Sequence, residues 1–454
     1  MIDPQKIKIN IPPKIRYVME KLRSSGFESF IVGGSVRDAV MGLTPHDFDV
    51  TTIADTDQLQ EVFKDDRTVT QGLKHGTLTV IIDNEPIEIT TYRLDGDYND
   101  HRHPDSVTFT KELKEDLIRR DFTINAMAYS DETGLIDVTG GVSDIENGIL
   151  RTVGDPAKRF DEDPLRILRG LRFAGRFGFE IEKDTSDEMI RQAEKLDFIS
   201  KERIYTELKG LLTAPAENLE TILDKQRDVI FKVIPELKKS DGFNQQIVFH
   251  KFDCYMHAVK ATCSIPPVFE LRFAMLMHDI GKPDVAVIEE SGRTHFNHHS
   301  ERSAEIAEEV LNRLRAPTKA SQNIIKYILH HEDFKGVEGC FYEVGKFIGR
   351  MGSIEDALNE VLVFRADLAA KSDFAKRNIK ASIDNIEKEI YNYKNKELCY
   401  KISQLAVNGR DLIEIGITDG LVIKKLLDKM LDYVLQGVIF NEKENLLEFA
   451  KGYL

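Results

Sequence analysis

One segment limits the fold of this chain more than any other. It is the run Phe30-Ile31-Val32-Gly33-Gly34-Ser35-Val36-Arg37-Asp38, with Asp47-Phe48-Asp49-Val50 shortly after it. Phe30 to Val32 are apolar and β-prone, which reads as a buried strand. Gly33 and Gly34 lack a Cβ, so their N–H groups can approach a phosphate closely. Ser35 is placed to cap a helix that begins near Val36, whose N-terminus favours an anion. Asp47 and Asp49 alternate with Phe48 and Val50. In a strand both carboxylates then share one face while the apolar pair enters the core. The segment therefore predicts a strand–turn–helix–strand unit. A phosphate cradle next to two parallel carboxylates is what divalent-metal nucleotidyl transfer requires. Each half alone is weak, since a glycine pair is usually a tight turn and a lone D-x-D a solvated strand end.

Composition sets the outer bounds. At 454 residues the chain is too long for one ordinary domain, so two to four are expected. With 41% hydrophobic and 31% charged residues it reads as a soluble globular protein. No apolar run approaches membrane-spanning length, and the N-terminal residues lack a signal-peptide pattern. Cys254, Cys263, Cys340 and Cys399 show no paired spacing, so a reducing cytoplasmic setting is expected. A net charge of −15 argues against wholesale coating of nucleic acid but leaves room for a local groove. The stretches Arg151 to Arg176 and Lys201 to Lys209 are locally basic.

The first third mixes short strands and helices. Thr77 to Ile82 and Ile87 to Tyr92 flank Asp83-Asn84-Glu85-Pro86 and predict a β-hairpin. Glu88 alternates with Ile87 and Ile89 and so faces away from the core. It becomes a third carboxylate if its strand neighbours that of Asp47, and otherwise it is a solvent-facing residue of an edge strand. Residues 95–110, rich in Asp, Asn, His, Arg and Pro, read as a mobile loop. From about residue 155 onward, apolar residues recur at i, i+3 and i+4. The fold class is an α+β head with a mixed sheet, followed by helical modules.

Three further runs carry chemistry. Arg119-Arg120-Asp121-Phe122-Thr123-Ile124-Asn125-Ala126 offers guanidiniums that fork onto phosphate, and Asp121 and Asn125 that can bond a ribose hydroxyl. Asp121 or Thr123 can equally be a helix cap. Glu162-Asp163-Pro164-Leu165-Arg166-Ile167-Leu168-Arg169-Gly170-Leu171-Arg172 opens a helix, with Asp163, Arg166 and Arg169 on one face. That face is either a solvated ion-pair surface or a protein template for a nucleobase edge. In Glu202-Arg203-Ile204-Tyr205-Thr206-Glu207-Leu208, Arg203 and Glu207 stand at i, i+4, the spacing of an ordinary helical ion pair.

Taken together and in this order, the runs resemble the class II tRNA nucleotidyltransferases, the bacterial CCA-adding enzymes and their poly(A) polymerase relatives. GGSVRD with HDFDVTT is similar to the metal and triphosphate motif, RRDFTINAMA to the ribose motif, EDPLRILRGLRF to the nucleobase-template helix and ISKERIYTEL to the neck helix. Val153-Gly154-Asp155 and the run from Ile136 to Gly141 fit the hinge. The resemblance implies a polymerase-β-like nucleotidyltransferase head at 1–150, a helical neck at 151–225, an HD-type body at 226–375 and a tRNA-binding tail at 376–454. It implies catalytic carboxylates Asp47, Asp49 and Glu88 holding Mg²⁺. It implies nucleotide contacts from Gly33, Gly34, Ser35, Arg37, Asp38, Arg119 or Arg120, Asp121, Asn125, Glu162, Asp163, Arg166, Arg169 and Arg172, with neck support from Arg203 and Glu207. The implied reaction adds C, C and A from CTP and ATP to the tRNA 3′ end. The partner is the acceptor stem and outer arm of tRNA, with no protein partner evident and no membrane. The loop Asp95 to Pro104 has the length of members that add the full CCA.

Met277-His278-Asp279-Ile280-Gly281-Lys282 resembles the HD phosphohydrolase signature. The resemblance implies a second divalent-metal site (Mn²⁺, Ni²⁺, Fe or Mg²⁺) with ligands His257, His278, Asp279 and Asp367. His299 and either His330 or His331 would complete it. Its implied substrates are 2′,3′-cyclic or terminal phosphates. The run Leu405 to Ile413 with Gly416 and Gly420 resembles the tail of Firmicute-type members and by itself is a helical hairpin. The rival readings are an A-adding or poly(A) enzyme and, in another class, an HD phosphohydrolase whose head only binds RNA.

Overall fold

The computed structural model describes residues 7–45, 47–96, 107–245, 251–290, 294–333 and 339–453. The chain forms two compact units, Met1–Pro235 and Glu236–Leu454.

The first unit is built on β1 (Ser29–Val32), β2 (Asp49–Thr52), β3 (Arg67–Val69), β4 (Thr77–Ile82), β5 (Glu85–Thr91), β8 (Met127–Ser130) and β9 (Gly134–Asp137), with β6 (Arg93–Asp95) and β7 (Val107–Phe109) as a separate ladder. The main sheet runs β3-β4-β5-β2-β1-β8-β9. Only β2 and β5 are parallel in it, so the sheet is mixed as expected. Phe30 and Val32 pack with Tyr92, Leu117 and Ala128 on one face of the sheet. The β4–β5 turn is tighter than predicted. Asp83 and Asn84 alone form it, with φ of 52° and 63°, and Pro86 pairs with Ile81 near the start of β5. Asx residues tolerate this left-handed backbone, which matches the twist of a two-residue hairpin. Part of the expected loop 95–110 is also ordered as a ladder, because Arg93 pairs with Phe109 and Asp95 with Val107. Residues 97–106 lie outside the described residues.

Helices dominate after residue 155, as the periodicity predicts. Asp155 caps Pro156–Glu162 through the Ala157 N–H at 2.9 Å. The helix Leu165–Phe177 buries Leu165, Ile167, Leu168, Leu171, Phe173 and Ala174. It packs against the helix Lys201–Leu212, and Gly210 faces the Arg172 side chain closely enough that a methyl would lie 2.4 Å from its Cδ. A small parallel pair, β10 (Ile149–Leu150) and β11 (Glu180–Ile181), closes this region.

The second unit is helical. Its main helices are Cys254–Cys263, Phe269–Met277, His299–Arg313, Thr318–His330, Phe341–Met351, Ile354–Ala370 and Asp373–Asn395. The tail adds Gly409–Glu414, Gly420–Leu435 and Lys443–Lys451 around a core of Val407, Leu412, Leu426, Met430, Leu446 and Ala450. Asn408 and Asp411 form a reciprocal cap that starts the tail hairpin. All four cysteines carry free thiols. Among the described residues, no helix is long and apolar enough to cross a membrane.

Candidate active site

The glycine turn sits where β1 meets the helix Gly34–Val40. Gly33 adopts φ 73° and ψ −129°, which a side chain would strain. A methyl on Gly33 would lie 3.3 Å from Arg120 Nη1, and one on Gly34 3.5 Å from Arg37 Nη2. Two guanidiniums therefore border the turn. Ser35 does not cap the helix as predicted. The helix begins one residue before it, and the Ser35 hydroxyl donates to the Val32 carbonyl at 3.2 Å.

β2 starts at Asp49, because Val32–Asp49 is the last pair of the β1–β2 ladder. Asp47 thus stands in the segment ahead of the strand rather than within it, and it is exposed. Val50 is buried, while Phe48 is only half-buried. The parallel register Val50–Ile89 places Glu88 beside Asp49 on the face opposite those two apolar side chains. Glu88 is therefore not on an edge strand. Although Asp49 is exposed at its surface, crowding by the surrounding protein pushes its carboxyl up, and Glu88 and Asp47 push it further, against the pull of Arg120. The acids hold more negative charge than their surroundings neutralise. An all-oxygen donor set with this excess fits a hard divalent cation.

The ribose-type run forms a continuous polar network. Arg37 bonds Asp38 Oδ1 through Nε (2.8 Å) and Nη2 (2.6 Å), and donates from Nη1 to Asn125 Oδ1 at 2.6 Å. Asn125 Nδ2 donates to Asp121 Oδ1 at 3.0 Å. Arg169 grips Asp121 Oδ2 with Nε (3.0 Å) and Nη2 (2.7 Å). Burial would raise the Asp121 carboxyl, but Arg169 and Asn125 override it and hold it at about 2. Arg119 and Arg120 share one anchor that the sequence reading did not single out. Asp116 is fully buried and accepts from Arg119 at 3.0 and 2.7 Å and from Arg120 at 3.1 Å. Its signal was present in the i, i+3 and i, i+4 spacing of Asp116 to the arginine pair.

The template-type helix is clamped from its neighbours. Asp163 accepts from the Leu165 N–H at 3.1 Å and from Arg203 Nη2 at 3.0 Å. Arg166 Nη1 donates to Glu162 Oε2 at 2.7 Å, and Arg159 shares that oxygen at 2.8 Å. Arg172 Nε donates to Glu207 Oε2 at 2.5 Å. The predicted Arg203–Glu207 pair within one helix is therefore replaced by two bonds across to the template segment. Partners that are buried between helices outcompete a solvated pair on one helix. Phe173 and Phe177 also escaped the sequence reading. The Arg172 guanidinium lies 4.3 Å from the Phe173 ring centre, and that of Arg37 lies 4.7 Å from Phe177. Their i, i+4 aromatic spacing was legible only as core.

In the second unit, five elements bring His257, His278, Asp279, His299, His331 and Asp367 together in the interior. His257 Nε2 lies 3.0 Å from Asp367 Oδ1, and His278 Nε2 lies 3.2 Å from Asp279 Oδ2. His299 Nε2 lies 3.4 Å from Asp279 Oδ1 and 3.3 Å from His331 Nε2. His278, His299 and His331 each donate Nδ1–H to the carbonyl three residues back, at 2.7, 2.8 and 2.7 Å. Those bonds aim Nε2 inward, as in metal-ligating imidazoles. His278 Nε2 and Asp279 Oδ1 are buried without a hydrogen-bond partner, which fits a divalent cation at the centre. Of the two adjacent histidines, His331 enters the cluster. His330 instead bonds Asp333 at 3.0 Å. Asp279 also meets Lys282 Nζ at 2.6 Å, and Lys371 meets Asp367. Despite burial, His278, Lys282 and Lys371 hold these two carboxyls well below the usual range. Among the described residues, the three-ligand groups whose donor atoms lie within 4.8 Å of one another are all in this unit. The head carboxylates form a looser set.

Comparison with known proteins accords with this geometry. The Poly A polymerase head domain matches residues 29–151, the HD domain residues 253–370 and tRNA nucleotidyltransferase domain 2 residues 355–450. Residues 178–219 match the "Probable RNA and SrmB-binding site of polymerase A". A CCA-adding enzyme of Ligilactobacillus salivarius is 30% identical over 458 residues, 98% of each chain. The chain belongs to the class II CCA-adding enzyme family. Another member, from Streptococcus suis, is 31% identical over 441 residues and 96% of each chain. One from Streptococcus gordonii reaches 44% over 232 residues, 51% of this chain and 57% of that one. The crystal structure of the Bacillus stearothermophilus CCA-adding enzyme in complex with CTP superposes with a TM-score of 0.70 at 26% identity, covering 98% of each chain. The Thermotoga maritima CCA-adding enzyme complexed with tRNA shares the fold, with a TM-score of 0.60 at 22% identity over 98% of this chain and 97% of that one.

Proposed function

We propose that this family member adds C, C and A in order to the 3′ end of tRNA, using CTP and ATP and no nucleic-acid template. The observation that carries the reading is the parallel β2–β5 register, which sets Glu88 beside Asp49 near a glycine turn bordered by Arg37 and Arg120. Asp47 and Asp49, supported by Glu88, hold Mg²⁺. Bound there, the metal supplies Lewis-acid stabilisation of the transferring phosphoryl group and the pyrophosphate. The tRNA 3′-hydroxyl gives up its proton to solvent as its oxygen bonds the α-phosphorus, the α–β phosphoanhydride bond breaks, and pyrophosphate leaves with the electron pair.

Gly33, Gly34, Ser35 and Arg37 receive the triphosphate. Arg119 or Arg120, with Asp121 and Asn125, reads the ribose. Asp163 and Arg166 present a carboxylate and a guanidinium to the base. Arg203 and Glu162 hold those two groups in place, while Arg169 and Arg172 tie the helix to Asp121 and Glu207. Four functional modules serve the reaction: the head at 1–150, the neck at 151–225, the HD-type body at 226–375 and the tail at 376–454. The latter modules engage the acceptor stem and outer arm of tRNA, in the cytoplasm.

The buried histidine–aspartate cluster supports a second activity on 2′,3′-cyclic or terminal phosphates, with Mn²⁺, Ni²⁺, Fe or Mg²⁺ as its cation. The test is single-nucleotide extension on tRNA transcripts lacking CCA, lacking CA or lacking A, with CTP, ATP or both. Ordered growth that stops after CCA is expected. Growth only on the transcript lacking A, or long A tails, overturns full CCA addition. Opening of a 2′,3′-cyclic phosphate to the monoester, or release of phosphate from a terminal monoester, by wild type and not by Asp279→Asn tests the second activity.

A further inference from the structure

Glu360 is a fully buried acid that none of the chemistry above uses. It stands in the helix Ile354–Ala370, seven residues before Asp367, and is 0% exposed. Among the described residues, neither of its carboxyl oxygens has a hydrogen-bond partner. Its neighbours along this face of the helix, Ala357, Val363 and Phe364, are buried and apolar. An isolated carboxylate is too costly in such a place, so the group stays neutral and keeps its proton. Burial, with Asp333 adding like charge, raises the Glu360 carboxyl well above the ordinary value.

The donors around it are committed elsewhere. Lys326, on the helix Thr318–His330 packed against it, pulls the other way but is held by Asp356 Oδ2 at 2.7 Å and by the Met351 carbonyl at 3.3 Å. Tyr327 donates its hydroxyl to Asp356 at 3.1 Å and accepts from the Asn359 amide at 3.0 Å. Asp333 takes His330 at 3.0 Å and Arg350 of the helix Phe341–Met351 at 3.2 Å. Lys346 of that helix faces Asp432, while its Glu343 adds an acid rather than a cation. On the other helices packed against Ile354–Ala370, His257 and His278 belong to the metal-type cluster, Arg272 donates to the Ile265 carbonyl, and Asp384 and Glu387 pair with Arg365.

We propose that Glu360 is a proton latch between the helices Thr318–His330 and Ile354–Ala370. The folded body holds one proton there, and the two helices stay packed while it is held. Loss of that proton leaves a bare carboxylate beside Asp333 and apolar side chains, which only opening to water relieves. The first helix runs directly into His331 and the second carries Asp367, so the latch joins two of the elements that build the buried cluster. In the open state the glutamate loses its proton near the ordinary value of 4.5, whereas in the packed state it keeps it to higher pH. The contribution of the latch is therefore complete below 4.5 and is lost as pH rises from there through the packed-state value.

The test is hydrogen–deuterium exchange of the full-length protein, with rates corrected for the intrinsic pH dependence of amide exchange. Peptides within Thr318–His330 and Ile354–Ala370 should lose protection about tenfold per pH unit across about pH 5.5 to 8, the slope for one proton. Glu360→Gln keeps the volume of the side chain, and Glu360→Met replaces it with an apolar one of similar length. Neither variant titrates, so in both the protection of these helices should no longer fall with pH. Peptides of the head serve as the internal control and should behave alike in all three proteins. The wild-type profile needs no variant to fold: protection that stays flat with pH overturns the proposal by itself. The same fall in both variants as in the wild type also overturns it.

Discussion

Asp49 in the head and Asp279 in the helical body are both carboxylates of metal-type sites, yet their surroundings push them in opposite directions. Asp49 lies exposed on a sheet beside Glu88 and Asp47, and crowding and like charge raise its carboxyl. Asp279 is buried, but His278 and Lys282 hold it well below its usual range. The difference follows from what supplies the positive charge. In the body the protein supplies it, through Lys282, Lys371 and His278. In the head it is left for an incoming cation, because a long polyanionic substrate must enter there.

Five measurements would break or sharpen this contrast. The largest effect is expected from Asp49→Ala. It should lower nucleotide addition by about 10³-fold or more, since the charge stabilisation it organises is worth several kcal/mol. Filter binding of tRNA and the metal content of the body should not change. Retained addition would remove Asp49 from the site. Asp279→Asn should do the converse, leaving addition intact while bound metal disappears from elemental analysis. It also strands Lys282 in the interior, so thermal unfolding of the body should shift by about 3 kcal/mol.

A third test uses a compensated acid of the head. Asp121 is held at about 2 against 3.8, so its contribution is present above 3.8 and is lost as pH falls toward 2. That contribution is about 2 kcal/mol. Arg169→Ala should flatten the acid limb of stability in urea titrations between those values. Fourth, Arg203→Ala frees Asp163 and should relax the preference for CTP and ATP over UTP and GTP about tenfold in kcat/KM, the scale of one charge-assisted bond. Melting temperature should change little. The smallest effect is directional. Glu88→Gln removes one like charge from Asp49, so the acid limb of the remaining addition activity should move to lower pH. A limb that stays in place would show that Glu88 does not sense Asp49.

Much of the head was legible because its signals are local. Alternating side chains predicted β4 and β5, and the glycine pair marked the turn where Gly33 takes a positive φ. The i, i+4 rule failed at Arg203 and Glu207, since it knows only one helix and their partners stand on another segment. Ser35 was misread for a related reason. The helix starts a residue earlier than its best capping side chain, and that hydroxyl satisfies the Val32 carbonyl instead. Asp116 was missed because a fully buried acid in an apolar-flanked helix has the pattern of an ordinary first-turn acidic residue.

By itself, the sequence determined the kinds of groups present: strand-borne carboxylates beside a glycine turn, a basic helix with an acidic start, and imidazoles and carboxylates of ligand type in the helical part. Those properties depend on residue identity and on spacing within a few positions. Tertiary structure alone decided which of them meet. The β2–β5 register brought Glu88 to Asp49, and helix packing chose His331 over His330 and drew Arg203 to Asp163. Such choices rest on contacts between residues tens or hundreds of positions apart, whose energy depends on burial and on competing partners rather than on sequence spacing.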